Sequence, residues 1–343
     1  MKRLPRLLSL LLVSALIVSL AACGGGAAAT PSPSGAAPTA TPSAEPSFKV
    51  GIIKMMDHPA LNAAEDGFVA ALAENGLVDG QNVTIDFKDA NGDSNNYSTI
   101  ADQFVMDKKD LVLAIATPAA QAIAAKTTEI PILATAVTSF TSAGLVDSDE
   151  VPGGNVSGTT DMNPIAEQLD LLLQLAPDTK TVGFLYASSE DNSRLQVEIA
   201  KSVLDAKGIA YVERTVSNQN EVQQATTSIV TECDAIYIPT DNVFASTMPL
   251  VQEVTVAAKI PVICGENSMV ESGGLASLGL TYYDLGFQAG LMAVKILKDG
   301  ADISTMPVTG AANFEYLING DVAEALGITI PENLKQYVQK PAT

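Results

Sequence analysis

The chain has 343 residues, is 47% hydrophobic but only 5% aromatic, contains no tryptophan and carries a formal net charge of −20. Acid in such excess is repelled by nucleic acid and by anionic lipid headgroups, and no basic patch with interleaved aromatics offsets it. Residues 48–343 can bury a sizeable core, and that length suits two domains better than one.

Lys2, Arg3 and Arg6 precede an apolar segment from Leu7 to Val18. A basic start, an apolar stretch short of the ~20 residues that span a bilayer, and small residues after it predict a secretory signal peptide over residues 1–22. The run Leu20-Ala21-Ala22-Cys23 resembles the lipobox of bacterial lipoproteins. That resemblance implies cleavage before Cys23, lipid on its thiol and new amino terminus, and a mature protein tethered outside the cytoplasmic membrane. Residues 24–47 are Gly, Ala, Thr, Pro and Ser apart from Glu45, with no large apolar side chain, so little offsets the entropy of ordering them. Residues 23–47 are therefore expected to be a lipidated cysteine and a disordered linker, with the fold beginning near Phe48. No later apolar run approaches the length of a membrane span.

From Phe48 strands and helices alternate. Val50 to Ile53 is an apolar strand. Pro59 opens a helix with Leu61, Ala64, Phe68, Ala71 and Leu72 on one face, ended by Gly76. Val83 to Phe87 is the next strand. Asp89 to Asp93 starts like a calcium loop but lacks the glycine at the sixth place, and Ile100 stands where a bidentate Glu belongs, so it reads as a polar turn. A helix through Ile100 to Met106, a buried strand from Leu111 to Ala116, a helix broken in at Thr117-Pro118 and a strand from Pro131 to Ala136 follow. The second half repeats this order. Val182 to Tyr186 matches the first strand, and a helix from about Ser193 carries Leu195, Ile199, Val203 and Ala206 on one face and stops at Gly208. Tyr211 to Thr215 is next. Asp234 to Asp241 then echoes Asp110 to Pro118, and Ile260-Pro261-Val262 echoes Ile130-Pro131-Ile132. A helix from Phe287 to Leu297 and a last short strand and helix near Gly327 complete the chain. The expected class is α/β, two similar doubly wound parallel-sheet lobes joined by connecting strands that form a hinge. The lobes are expected at 48–157 plus 281–308 and at 158–280 plus 309–340. Cys233 and Cys264 fall at opposite ends of neighbouring strands and read as buried free thiols.

Ligands of open α/β sheets bind beyond the carboxyl ends of the strands. The residues expected there are His58, Thr117, Pro118, Thr138, Ser139, Phe140, Asn192, Ser193, Asp241, Asn242, Glu266 and Tyr283. Helix N-termini with Thr or Ser suit a carboxylate, and Asp241 or Glu266 suits an ammonium. Phe140, Tyr282, Tyr283, Met55 and Met56 can wall an apolar or aromatic side chain. The set describes a receptor for a small zwitterion, although Thr117, Ser139, Ser193 and Thr240 are equally plain helix caps. Catalytic arrangements are poor. His58 is the single histidine, and neither a nucleophile elbow nor a phosphate loop of the G-x-x-x-x-G-K type is present. No metal and no cofactor is expected.

Several segments carry a family resemblance. They are His58-Pro59-Ala60-Leu61, Ala114 to Gln121, Gly153 to Gly158, Tyr186 with Glu190-Asp191-Asn192-Ser193, and Pro239-Thr240-Asp241-Asn242. From about Phe48 to about Glu332 the chain resembles the tryptophan/tyrosine ABC transporter substrate-binding proteins. The resemblance implies a type I periplasmic-binding-protein fold with three crossings between lobes. It implies a ligand, an aromatic amino acid above all, held between His58, Thr117 and Ser139 on one side and Asn192, Ser193, Asp241 and Asn242 on the other. It also implies a monomeric receptor that delivers the ligand to a membrane permease. Ser139-Phe140 replaces an expected Asp-Pro, and Lys54 a Gln-like residue, so a cation and an added ring are expected at the cleft mouth. The alternatives are a sensor of the same fold that signals to a membrane partner, an importer receptor for a nucleoside or a branched amino acid, and an extracellular enzyme on a two-lobed fold.

Overall fold

The computed structural model describes residues 47–311 and 313–339. The predicted signal peptide, Cys23 and nearly all of the linker lie outside the described residues. The first lobe is built from β1 (Phe48–Lys54), α1 (Pro59–Glu74), β2 (Val83–Asp89), α2 (Ser94–Met106), β3 (Leu111–Ile115), α3 (Thr117–Ala124), β4 (Ile132–Val137) and β5 (Val156–Thr160). The second has α4 (Ile165–Leu175), β6 (Thr181–Ala187), α5 (Asp191–Lys207), β7 (Ala210–Val216), α6 (Val222–Ile229) and β8 (Ala235–Ile238). It continues with α7 (Asn242–Ala245), α8 (Met248–Ala258), β9 (Val262–Cys264), α9 (Asn267–Glu271) and β10 (Ala276–Gly279). The chain then returns through α10 (Tyr282–Asp299) and β11 (Thr309–Gly310), and ends with β12 (Glu315–Asn319), α11 (Gly320–Leu326) and β13 (Val338–Gln339).

The internal repeat of the sequence is a repeat of topology. The six-stranded sheet runs β2-β1-β3-β4-β5-β11 and the seven-stranded sheet β7-β6-β8-β9-β10-β12-β13. The first five strands of each lobe thus take the same places, all parallel, as helical crossovers require. β12 pairs antiparallel with β10 and β13 parallel with β12, so these last two strands run against the rest of the second sheet. The chain crosses between lobes three times, after β5, after β10 and after β11. The boundary expected at 157/158 falls inside β5 and that at 308/309 just before β11, although both strands are bonded in the first sheet. We place these boundaries at the crossings instead.

α10 returns to the first lobe because it fits α1 closely. A Cβ on Gly286 would stand 1.8 Å from the Ala64 carbonyl oxygen, and one on Gly67 2.0 Å from that of Tyr283. Only glycine allows two helix backbones this near. α5 shows a difference from the sequence pattern. Its fully buried positions are Asn192, Ser193, Gln196, Val197, Ala200 and Leu204, whereas Leu195, Ile199 and Val203 are half-buried and Ala206 is exposed. The helix turns a polar stripe inward because its N-terminus builds the site described below. Cys233 and Cys264 are buried and free. No helix among the described residues is long and apolar enough to cross a membrane.

Candidate ligand-binding site

Residues from both lobes close around a small cavity. α1 and its cap contribute Leu61 and His58, the end of β4 Ala136, and the first two crossings Asp161 and Tyr282. The second lobe contributes Asn192, Thr240, Asp241, Asn242, Ala245 and Glu266. The room left is about 10 Å3, no more than one water needs. An adjoining recess shares Asn192 and is walled by Thr117, Ser139, Ser142, Asp191 and Leu195. Ala116 and Ala136, at the ends of β3 and β4, have φ of 83° and 56°. This is a backbone region that costs a side-chain-bearing residue energy and that gathers at binding sites.

The lobes touch directly. His58 Nε2 lies 3.0 Å from Asn242 Oδ1. Gln121 Nε2 donates to Asp191 Oδ2 at 3.0 Å, and Gln196 Nε2 to Thr138 Oγ1 at 3.4 Å. The cleft is therefore shut.

The cavity and its surroundings concentrate carboxylates. Asp161 accepts from Tyr282 Oη at 2.7 Å and Thr138 Oγ1 at 3.0 Å. Asp241 accepts from the Ala187 amide at 2.6 Å, Ser193 Oγ at 2.7 Å and the Phe244 amide at 2.9 Å. Glu266 takes the amide and hydroxyl of Ser268, both at 2.7 Å. Glu190 takes both amide groups of Asn242, the Val243 amide and Asn192 Nδ2. Burial pushes all four pKa values up, with Asp241 adding to the shift at Glu190. Glu190 reaches about 8 and Glu266 about 7. Among the described residues no Lys or Arg lines the cavity. Three buried polar atoms that face this region lack a partner: His58 Nδ1, Thr117 Oγ1 and Asn192 Oδ1. Buried polar atoms are nearly always bonded, so these three are groups awaiting one. The chemistry on offer is acceptors and carboxylates for a cation, and the N-terminus of α3 beside Thr117 for an anion.

Of the residues named from the sequence, His58, Asn192, Asp241, Asn242 and Glu266 line the cavity, and Thr117 and Ser139 line the recess. Thr138 and Ser193 stand one layer behind and hold Asp161 and Asp241. Pro118 opens onto a larger rim cavity of about 440 Å3 with Met55 and Tyr97. Phe140 is fully buried in the core of the first lobe and lines neither the cavity nor the recess. Tyr283 is 39% exposed and stacks on Phe287, because the first turn of α10 points Tyr282, not its neighbour, inward. Lys54 is buried but faces away: its ammonium sits 2.6 Å from Asn62 Oδ1, 2.9 Å from Glu65 Oε2, and over the Phe87 ring. The expected cation and ring at the cleft mouth are thus absorbed by the lobe itself. Asp161, Glu190 and Gln196 were missed as site residues. Asp161 was signalled by its place directly after β5 at a crossing. Glu190 was signalled by its place at the cap of α5 and by the segment Glu190-Asp191-Asn192-Ser193 that carries the family resemblance.

The comparisons with known proteins agree with one another. The family model described as ABC transporter substrate binding protein matches residues 49–341. A "Tyrosine-binding protein" of Clostridioides difficile is 43% identical over 277 residues, 81% of this chain and 80% of that protein. A Streptococcus pneumonia ABC domain solved in complex with L-Trp is 38% identical, covers 85% of this chain and all of its own, and superposes with a TM-score of 0.82. The ligand-free, open structure of a Clostridium difficile substrate-binding protein with adhesive properties is 44% identical and covers 86% of this chain and all of its own, yet its TM-score is 0.66. The nearer sequence is the poorer superposition, as expected when two similar lobes stand at different angles.

Proposed function

The chain belongs to the ABC transporter substrate-binding protein family, and from that premise we propose that it is an extracytoplasmic receptor for an aromatic amino acid, tethered by lipid on Cys23, that closes on its ligand and hands it to a membrane permease. The observation that carries the reading is the cavity's charge. Asp161, Asp241 and Glu266 line it, no cation does, and an ammonium group supplies the missing positive charge. The recess beside Thr117 and Ser139, at the N-terminus of α3, takes the carboxylate. Leu61, Tyr282, Ala136 and Ala245 leave an apolar and aromatic wall for the ring. The L-Trp complex and the tyrosine-binding relative support the same ligand class.

Closure follows from the two-sided site. Ligand contacts to each lobe add to the direct contacts of His58 with Asn242 and Gln121 with Asp191, and shift the population from open to shut. The cavity has no room for an aromatic amino acid with the lobes as they stand, so entry requires opening. The receptor transports without chemistry and works as a monomer.

The test begins with residues 48–343 unfolded and refolded to strip carried-over ligand. The chain has no tryptophan, so the ligand's own indole fluorescence reports L-Trp binding directly. Saturable binding of L-Trp or L-Tyr, with a rise in melting temperature of several degrees at ~100 times Kd, is the expected result. A response to sugars or nucleosides alone, or turnover of a bound ligand, overturns the reading.

A further inference from the structure

The ring of His58 has one bonded and one unbonded nitrogen, and the bonding around it fixes which is which. Asn242 Nδ2 lies 2.5 Å from Glu190 Oε2. The same Oε2 also accepts the Asn242 backbone amide and Asn192 Nδ2, so it is the acceptor of the group and a proton on Glu190 belongs on Oε1; the NH2 of Asn242 therefore faces Oε2 and Asn242 Oδ1 faces the opposite way. That oxygen lies 3.0 Å from His58 Nε2 and can only accept. Nε2 therefore carries the ring's proton. Burial also lowers the His58 pKa to about 4, so the ring is neutral at physiological pH. Nδ1 is then a bare lone pair, buried and without a partner. It does not cap α1, although His58 stands at that helix's N-cap.

We propose that His58 Nδ1 is the specificity-determining acceptor for a donor on the ligand's side chain, the phenol O–H or the indole N–H, and that Glu190 is the positioning residue that sets its tautomer through Asn242. The proposal rests on the aromatic amino acid reading above and sharpens it. A buried acceptor left unpaired costs free energy that a ring without a donor cannot return. Sites built this way reject the analogue that lacks the donor far better than apolar pockets reject a changed shape. The ammonium does not need this nitrogen, because Asp161, Asp241 and Asn192 Oδ1 are available to it. Glu190 differs from the other carboxylates of the region in function: its oxygens are used on Asn192, Asn242 and Val243 and keep the two amides turned.

The experiment compares pairs of ligands that differ by the donor. L-Phe should bind about 10- to 100-fold more weakly than L-Tyr, and 1-methyl-L-tryptophan more weakly than L-Trp by a similar factor. In His58→Leu both ratios should fall to within about threefold. A wild-type ratio near one, or a ratio that survives in His58→Leu, overturns the proposal while leaving the aromatic reading intact; failure of every aromatic amino acid to bind overturns both. A second measurement does not depend on the variant folding. His58 is the only histidine, so the 15N spectrum of labelled wild-type protein shows its ring alone. With L-Tyr bound, Nε2 should be protonated and Nδ1 unprotonated with the shift of a hydrogen-bonded acceptor. A protonated Nδ1 overturns the assignment. Glu190→Gln should lower the Tyr-to-Phe preference at the level of the ring spectrum, by populating the other tautomer; an unchanged tautomer and preference remove Glu190 from the proposal.

Discussion

Replacing Gly286 by Ala sets two opposed effects against each other at the α1–α10 contact. In a helix interior Ala is favoured over Gly by about 1 kcal/mol. The added Cβ, however, would meet the Ala64 carbonyl oxygen at 1.8 Å, when ordinary contact begins at 3.4 Å. The obstacle is backbone, held in the hydrogen-bond ladder of α1, and cannot rotate aside. One helix must move by about 1.6 Å, and such overpacking costs roughly 1–3 kcal/mol, occasionally more. The clash should win by up to about 2 kcal/mol, lowering the melting temperature by a few degrees. Function should suffer too. His58 rides on the N-terminal end of α1, so a shifted helix disturbs its 3.0 Å contact with Asn242 and weakens ligand binding. Gly154→Ala is the control, because a Cβ there meets nothing within 4 Å. Thermal melts and ligand titrations of the three proteins make the comparison. A Gly286→Ala protein as stable as the parent, with unchanged affinity, would refute the claim that this contact needs glycine.

Two further outcomes follow from charge. Glu190 and Glu266 hold protons more tightly when folded, at about 8 and 7 against an ordinary value of 4.5, so the ligand-free folded state binds more protons than the unfolded one. Its stability should therefore fall as pH rises from about 4.5 to about 8, and a bound ammonium should flatten that slope and release protons measurable by calorimetry in buffers of different ionisation enthalpy; a slope of the opposite sign contradicts this account. Lys54→Met removes the buried partner of Glu65, which is itself partly exposed, and should cost about 1–2 kcal/mol of stability without changing affinity; a large loss of binding would return Lys54 to the cleft.

Much of the fold was legible because parallel strands buried on both faces read as apolar runs. Leu111 to Ile115 and Ile132 to Val137 are fully buried along their length, as is Ala235 to Ile238. The glycine and proline punctuation placed the helices. The lining of the candidate site was legible by topology: strand ends named His58, Asn192, Asp241 and Glu266, which line the cavity, and Thr117, which lines the recess. What failed was orientation. On α5 the sequence pattern points the apolar face inward, yet Ser193 and Gln196 are wholly buried because Asp241 and Thr240 need their donors. A polar residue chosen for a partner some forty positions away leaves no periodic trace. Lys54 and Phe140 misled for the same reason, since only the fold reveals that Glu65 answers the first and the first lobe's core absorbs the second. Glu190 stands in a segment that carries the family resemblance, but the sequence does not show the donors that converge on it.

The three crossings also bear on how the chain is made. The first sheet is not complete until β11, and α1 has no cover on its glycine-bearing face until α10 arrives more than two hundred residues later. The second sheet likewise waits for β12. Neither lobe can finish while the chain is still emerging, because each keeps its closing piece for the end. Contacts this distant in sequence slow folding. For a receptor that, on the proposed reading, crosses a membrane before it works, delay is an advantage: the chain stays threadable until its last segments have passed.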